Sequence, residues 1–74
     1  MAKELYLRKE FVGWGVGFYH GIRSHTIIVV RRPWAVNRIL PGLRYLLKKQ
    51  ATIKEMKKYI EGARIWAKAR GELI

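Results

Sequence analysis

The chain has 74 residues, half of them hydrophobic, with sixteen Lys or Arg and only five acids, all Glu. This length allows one small domain, the apolar share excludes a disordered tail, and the absence of cysteine excludes a disulfide framework and the common zinc-finger patterns. A formal net charge of +11 opposes compaction through self-repulsion, so it predicts a polyanionic partner.

The N-terminal segment, residues 1–10, mixes Lys, Arg and Glu and has no apolar run typical of a secretory signal peptide. Residues 11–30 are less charged, but they include Arg23, two histidines and four glycines, which predicts no transmembrane segment. We therefore expect a protein that is not secreted and is cytoplasmic, or held within a virion or ribonucleoprotein assembly. Low Asn and Gln content is compatible with a thermophilic source.

Residues 11–21, FVGWGVGFYHG, alternate between large apolar residues and glycines. The residues of one parity are large and apolar, so a strand here has one large apolar face and one bare face. The apolar face consists of Val12, Trp14, Val16 and Phe18. The run TIIVV at residues 26–30 is rich in β-branched residues and also favours a strand. Turn residues lie between the two runs, which predicts a β-hairpin, with ELYL near the start as a possible third strand.

The glycines of this segment predict that another backbone, from a neighbouring copy or from RNA, approaches the chain closely. The close-packing positions are Gly13, Gly15, Gly17 and Gly21.

A second interpretation places the same residues on a helix. Gly13, Gly17 and Gly21 are spaced by four, which is typical of a ridge where two helices touch. This alternative predicts an all-α, three-helix arrangement.

The pattern changes at Pro33, which suits the first turn of a helix. Apolar residues then recur at helical spacing from Val36 to Leu47, and Pro41 with Gly42 should kink this helix or split it in two.

Thr52 and Glu55 have the spacing of a capping box, so a second helix should run from about Ile53 to Arg70, with Gly71 as its stop. A short connection implies an antiparallel αα-hairpin. The predicted fold is α+β, a single small basic domain with strands and turns over residues 1–32 and a helical hairpin over residues 33–74.

The sequence offers little for catalysis or metal binding. Ser24 is the only serine and has no placed carboxylate partner, and the five Glu are scattered among basic residues. His20 and His25 match no standard metal-ligand spacing and lack a third ligand. GWGVG does not follow the G-x-G-x-x-G pattern. We therefore expect no enzyme activity, no cofactor and no metal.

Basic and aromatic residues together predict a nucleic-acid surface, because Lys and Arg contact phosphates and exposed aromatic rings stack on bases. The predicted contact residues are Arg31, Arg32, Trp34, Arg38, Arg44, Lys48, Lys49, Lys54, Lys57, Lys58, Arg64 and Lys68.

Three functions remain open. The first is an architectural nucleic-acid binder of ribosomal, chromatin-like or nucleocapsid type, working within a larger assembly and prone to self-association. The second is a membrane-surface or membrane-complex accessory subunit that uses its amphipathic last helix. The third is a homomeric filament or virion coat subunit.

Overall fold

A computed structural model of the chain describes residues 3–74. Three strands come first: β1 (Glu4–Glu10), β2 (Gly13–Tyr19) and β3 (His25–Val30). Two helices follow, α1 (Pro33–Lys48) and α2 (Ile53–Ala69). The predicted α+β fold, an N-terminal hairpin with a third strand followed by an αα-hairpin, is confirmed.

The strands form one antiparallel sheet in the order β1-β2-β3, so the glycine-rich strand is central. Phe18 lies opposite Leu5 and Thr26. The parity of β2 is as predicted, since Val16 and Phe18 are fully buried in the core. Val12 was wrongly placed on this face, because it lies in the turn before β2 and is exposed. The all-α alternative is wrong because Gly13 and Gly17 lie in this strand, where flanking β-branched and aromatic residues favour extended backbone over a glycine ridge.

The two helices pack on the face of the sheet that carries Phe18, and together they close the core. The helices and their connection contribute these buried residues to the core: Ala35, Val36, Ile39, Leu43, Ala51, Met56, Ile60, Ala63 and Ala67. Burial of these apolar stripes is the main stabilising term for elements of this length. Neither helix, within residues 3–74, combines the length and apolar character needed to cross a bilayer.

Helix α1 is continuous through Pro41, so of the two expected alternatives, a kink or a split, the split does not occur. Pro41 is on the exposed side of the helix, where the carbonyl that loses its usual hydrogen bond can be solvated. At the neighbouring Gly42, a side chain would overlap the phenol of Tyr59, whose hydroxyl donates a 2.8 Å hydrogen bond to the Ile39 carbonyl. The missing side chain lets the two helices meet at this point.

The glycine face of β2 is also filled by the chain itself. A Cβ at Gly17 would lie 2.7 Å from the Ile27 Cα on β3, and one at Gly15 would lie 3.0 Å from the ring of Tyr6 on β1. Gly13 has a φ of +154°, which residues with side chains rarely adopt. Gly21 lies in the loop between β2 and β3. At Gly13, Gly15 and Gly17 the closely approaching atoms therefore belong to the same chain.

The C-terminal residues return to the edge of the sheet. The Arg31 N–H donates to the Glu72 carbonyl at 2.8 Å, and the Ile74 N–H donates to the Val29 carbonyl at 3.0 Å. Leu73 forms a single bridge with Val30. This pairing covers the end of β3 next to α1 and brings a buried carboxylate, Glu72, beside Arg32.

Candidate nucleic-acid interface

The positive charge is concentrated in the helical part of the fold. Residues 33–70 contain ten Lys or Arg and two Glu, a net charge of +8, whereas residues 3–30 contain four Lys or Arg and two Glu, a net charge of +2. Because both helices pack on one face of the sheet, their exposed side chains form one side of the molecule. Most of the positive charge therefore lies on that side.

All twelve predicted contact residues are exposed. Arg31 and Arg32 lie between β3 and α1, and the others lie on the helices or in the connection after α1. We call the exposed basic side chains of α1 and α2 the helix-pair face. Its members are Arg38, Arg44, Lys48, Lys54, Lys57, Lys58, Arg64 and Lys68.

Most of these cations have no acidic partner. Within residues 3–74, only two ion pairs have nitrogen and oxygen within 4 Å, Arg32 with Glu72 and Arg64 with Glu61, so fourteen of the sixteen Lys and Arg are free of a carboxylate. Glu55 is engaged in the predicted capping box, in which its carboxylate accepts from the Thr52 N–H at 3.1 Å. Hydrogen bonds from the Thr52 backbone and hydroxyl lower the pKa of Glu55. The helix-pair face thus presents largely uncompensated charge.

Arg32 differs from the other predicted residues because its charge is paired with a buried carboxylate, whereas the Arg64–Glu61 pair is exposed. Its Nε donates to the two Glu72 carboxylate oxygens at 3.2 and 3.0 Å, and its Nη2 also contacts that carboxylate. The bidentate pair raises the pKa of Arg32 and lowers the pKa of Glu72. Arg32 anchors the C-terminal residues, so its guanidinium is less available to a partner than an unpaired cation is.

A groove runs between the two helices on the side of the helix-pair face. We call it the interhelical groove; its volume is about 330 Å³, and it is lined by Arg38, Ile39, Tyr59, Gly62, Ala63 and Trp66. Trp34, which is 45% exposed, packs edge-on against Trp66 with ring centroids 5.6 Å apart. The structure therefore brings Trp34 and Arg38 together at one aromatic-walled site.

The sequence did not identify Trp66, Tyr59 or Gly62 as site residues. Both aromatic residues fall on the apolar stripe of α2, where core packing explains them, and they are indeed half-buried. The sequence signal that could have indicated this site is Gly62. A glycine inside an amphipathic helix is unfavourable, and this one lies far from either end of α2.

The face of the sheet opposite the helices carries an aromatic cluster rather than a basic one. Tyr6 lies 5.2 Å from Tyr19 and 5.4 Å from His25, measured between ring centroids. The Tyr6 hydroxyl donates to the Glu10 carboxylate at 3.0 Å, and this bond raises the pKa of Tyr6. In the described part of the chain, no group of three His, Cys, Asp or Glu is placed to hold a metal ion.

Comparisons of the chain with protein-family models, with curated proteins and with solved structures found no match.

Proposed function

We propose that the protein binds nucleic acid without catalysis, through phosphate contacts on the helix-pair face, as an architectural component of a larger assembly. The observation that most strongly supports this proposal is the concentration of largely unpaired cations on the two helices, which gives a net charge of +8 over residues 33–70. Lys and Arg that are not held by carboxylates can each displace a counterion from a phosphate, which drives association.

The helix geometry favours this function over membrane-surface binding. An interfacial helix inserts its apolar side into the boundary between headgroups and acyl chains. In α2 that side is occupied in the core, where Met56 and Ile60 are almost fully buried. The charged side of α2 is the part that remains available to a partner.

A salt titration tests the proposal. If six to eight phosphates are neutralised, the logarithm of the affinity for duplex DNA should fall against the logarithm of the salt concentration with a slope of about −6. Fluorescence anisotropy of a labelled oligonucleotide measures this slope. A slope near zero, or no binding at low salt, would contradict the proposal.

The assembly part of the proposal is supported by apolar side chains at the two hairpin connections. Phe11 is 99% exposed in the turn between β1 and β2, and Ile22 is fully exposed in the loop between β2 and β3. These connections lie at opposite ends of the sheet, because consecutive antiparallel strands turn at alternate ends. We expect the purified protein to self-associate, and sedimentation showing a stable monomer at low salt would argue against it.

A further inference from the structure

The interhelical groove combines an apolar floor, aromatic walls and one cation at its rim. Ile39 and Ala63 are buried beneath it, and Arg38 is exposed at its edge. The Tyr59 hydroxyl is already bonded to the Ile39 carbonyl, so Tyr59 offers its ring rather than a polar group. A volume of about 330 Å³ is at the lower end of the range for small-ligand pockets, about 300–1,000 Å³.

Gly62 leaves this groove open, and nothing inside the chain requires it to be glycine. A Cβ added at Gly62 would have no atom within 4 Å, in contrast to Gly42, where it would overlap Tyr59. A glycine inside a helix is less favourable than alanine by about 1 kcal/mol. The absence of a side chain at Gly62 therefore lowers the stability of the helix without serving packing inside the chain. A molecule that enters the groove would explain why glycine stands at this position.

The helical turns on either side of Trp66 differ in how they cover its indole. Arg70, one helical turn later, places its guanidinium 5.2 Å from the centroid of the Trp66 ring. Gly62, one turn earlier, has no side chain to cover the indole. Side chains on a helix lean toward its N-terminus, so the indole is directed toward the turn that contains Gly62.

We propose that the interhelical groove binds one unpaired nucleobase of a single-stranded nucleic acid, with the base stacked on Trp66 and a flanking phosphate at Arg38. This inference rests on the proposed function, because the helix-pair face holds the strand that delivers the base. Every nucleobase offers a flat π-face to an indole, and Arg binds the adjacent phosphate. Bases inside a duplex are paired and stacked, so the groove gives the protein a preference for single strands.

An abasic polymer separates base binding from phosphate binding. The probes are a short oligothymidylate and a strand of equal length built from stable abasic sugar-phosphate units, compared at moderate salt. Both strands carry the same phosphate charge. Stacking of one base on an aromatic side chain predicts about tenfold tighter binding of the oligothymidylate.

Two pairs of variants locate the effect. Gly62→Leu fills the groove and should remove the tenfold difference while leaving the affinity for the abasic strand unchanged. Asn37→Leu places a leucine at an exposed position of α1 outside the groove, so it controls for an added apolar surface and should preserve the difference. Arg38→Gln should weaken oligothymidylate binding more than Arg44→Gln, which removes an exposed arginine of the same helix away from the groove.

The outcomes distinguish failure of the base-binding site from failure of the proposed function. Equal affinity of the wild-type protein for the two strands would overturn the base-binding site while leaving phosphate binding in place. A difference that survives in a folded Gly62→Leu protein would also overturn it. Binding to neither strand at low salt would overturn the proposed function and, with it, the base-binding site.

Discussion

At the scale of single residues, two glycines that both lie inside regular elements have opposite consequences in the structure. Gly17 lies in β2 against the backbone of β3, so no side chain fits there without moving the strand. Gly62 lies in α2 beside open space, so a side chain fits without contact. Internal packing explains the first glycine, and the proposed base-binding site explains the second.

Gly17→Ala should destabilise the protein by about 3 kcal/mol, because the new methyl group overlaps the backbone of Thr26 and Ile27. Gly62→Ala should stabilise it by about 1 kcal/mol, because alanine is the better helix former and meets no neighbour. Urea denaturation followed by circular dichroism measures both changes. A Gly17→Ala protein as stable as the wild type would contradict the packing described for β2.

We expect the protein to lose stability in acid because of Glu72. Its pKa is lowered from 4.5, chiefly by the hydrogen bond from Arg32, so the unfolded chain binds more protons than the folded chain below about pH 4.5. The stabilising contribution is present above pH 4.5 and is lost as pH falls through the folded pKa. Glu55, whose pKa is also lowered, acts in the same direction. Thermal melting measured from neutral pH to pH 2 should show this loss as a falling melting temperature. Glu72→Gln should make the dependence of the melting temperature on pH weaker. A Glu72→Gln protein with the same pH dependence as the wild type would contradict the role of the Arg32 pair.

At the scale of elements, local chemistry in the sequence predicts most of the fold. The β-branched run ending at Val30 forms β3, Pro33 begins α1, and Thr52 caps α2 where the capping box was expected. The return of residues 72–74 to β3 was not predictable, because three residues carry no periodicity and their pairing depends on where α2 ends. The interhelical groove could not be predicted either. The helical periodicity places Trp66 on the apolar side of α2, but it does not show how much of the ring the core covers.

Thr52→Ala should destabilise the protein by about 1 kcal/mol, because it removes the hydroxyl that accepts from the Glu55 N–H at 3.1 Å. Thr52→Ser retains a hydroxyl at the same position and should cost only a small part of this loss. Chemical denaturation of the two variants beside the wild type makes the comparison. Equal stability of the alanine and serine variants would show that the cap contributes nothing.

At the scale of the whole molecule, the fold separates two surfaces with different chemistry. The sheet uses its inner face for the core and its outer face for the cluster around Tyr6, Tyr19 and His25. The helices turn their apolar stripes inward and their cations outward, which gathers the charge on one side. The sequence alone predicts the excess of charge, and the packing of both helices on one sheet face explains why it is gathered.

The most direct measurement compares two variants with the same net charge. One carries Lys54→Gln, Lys57→Gln and Lys58→Gln on α2, and the other carries Lys3→Gln, Arg8→Gln and Arg23→Gln in the strand region. The salt slope of DNA binding should shrink by nearly 3 for the α2 variant, about 0.9 for each lost phosphate contact, and should stay close to the wild-type value for the strand-region variant. Equal losses in the two variants would contradict a localised binding face and would leave only a general attraction between the charged protein and the polyanion.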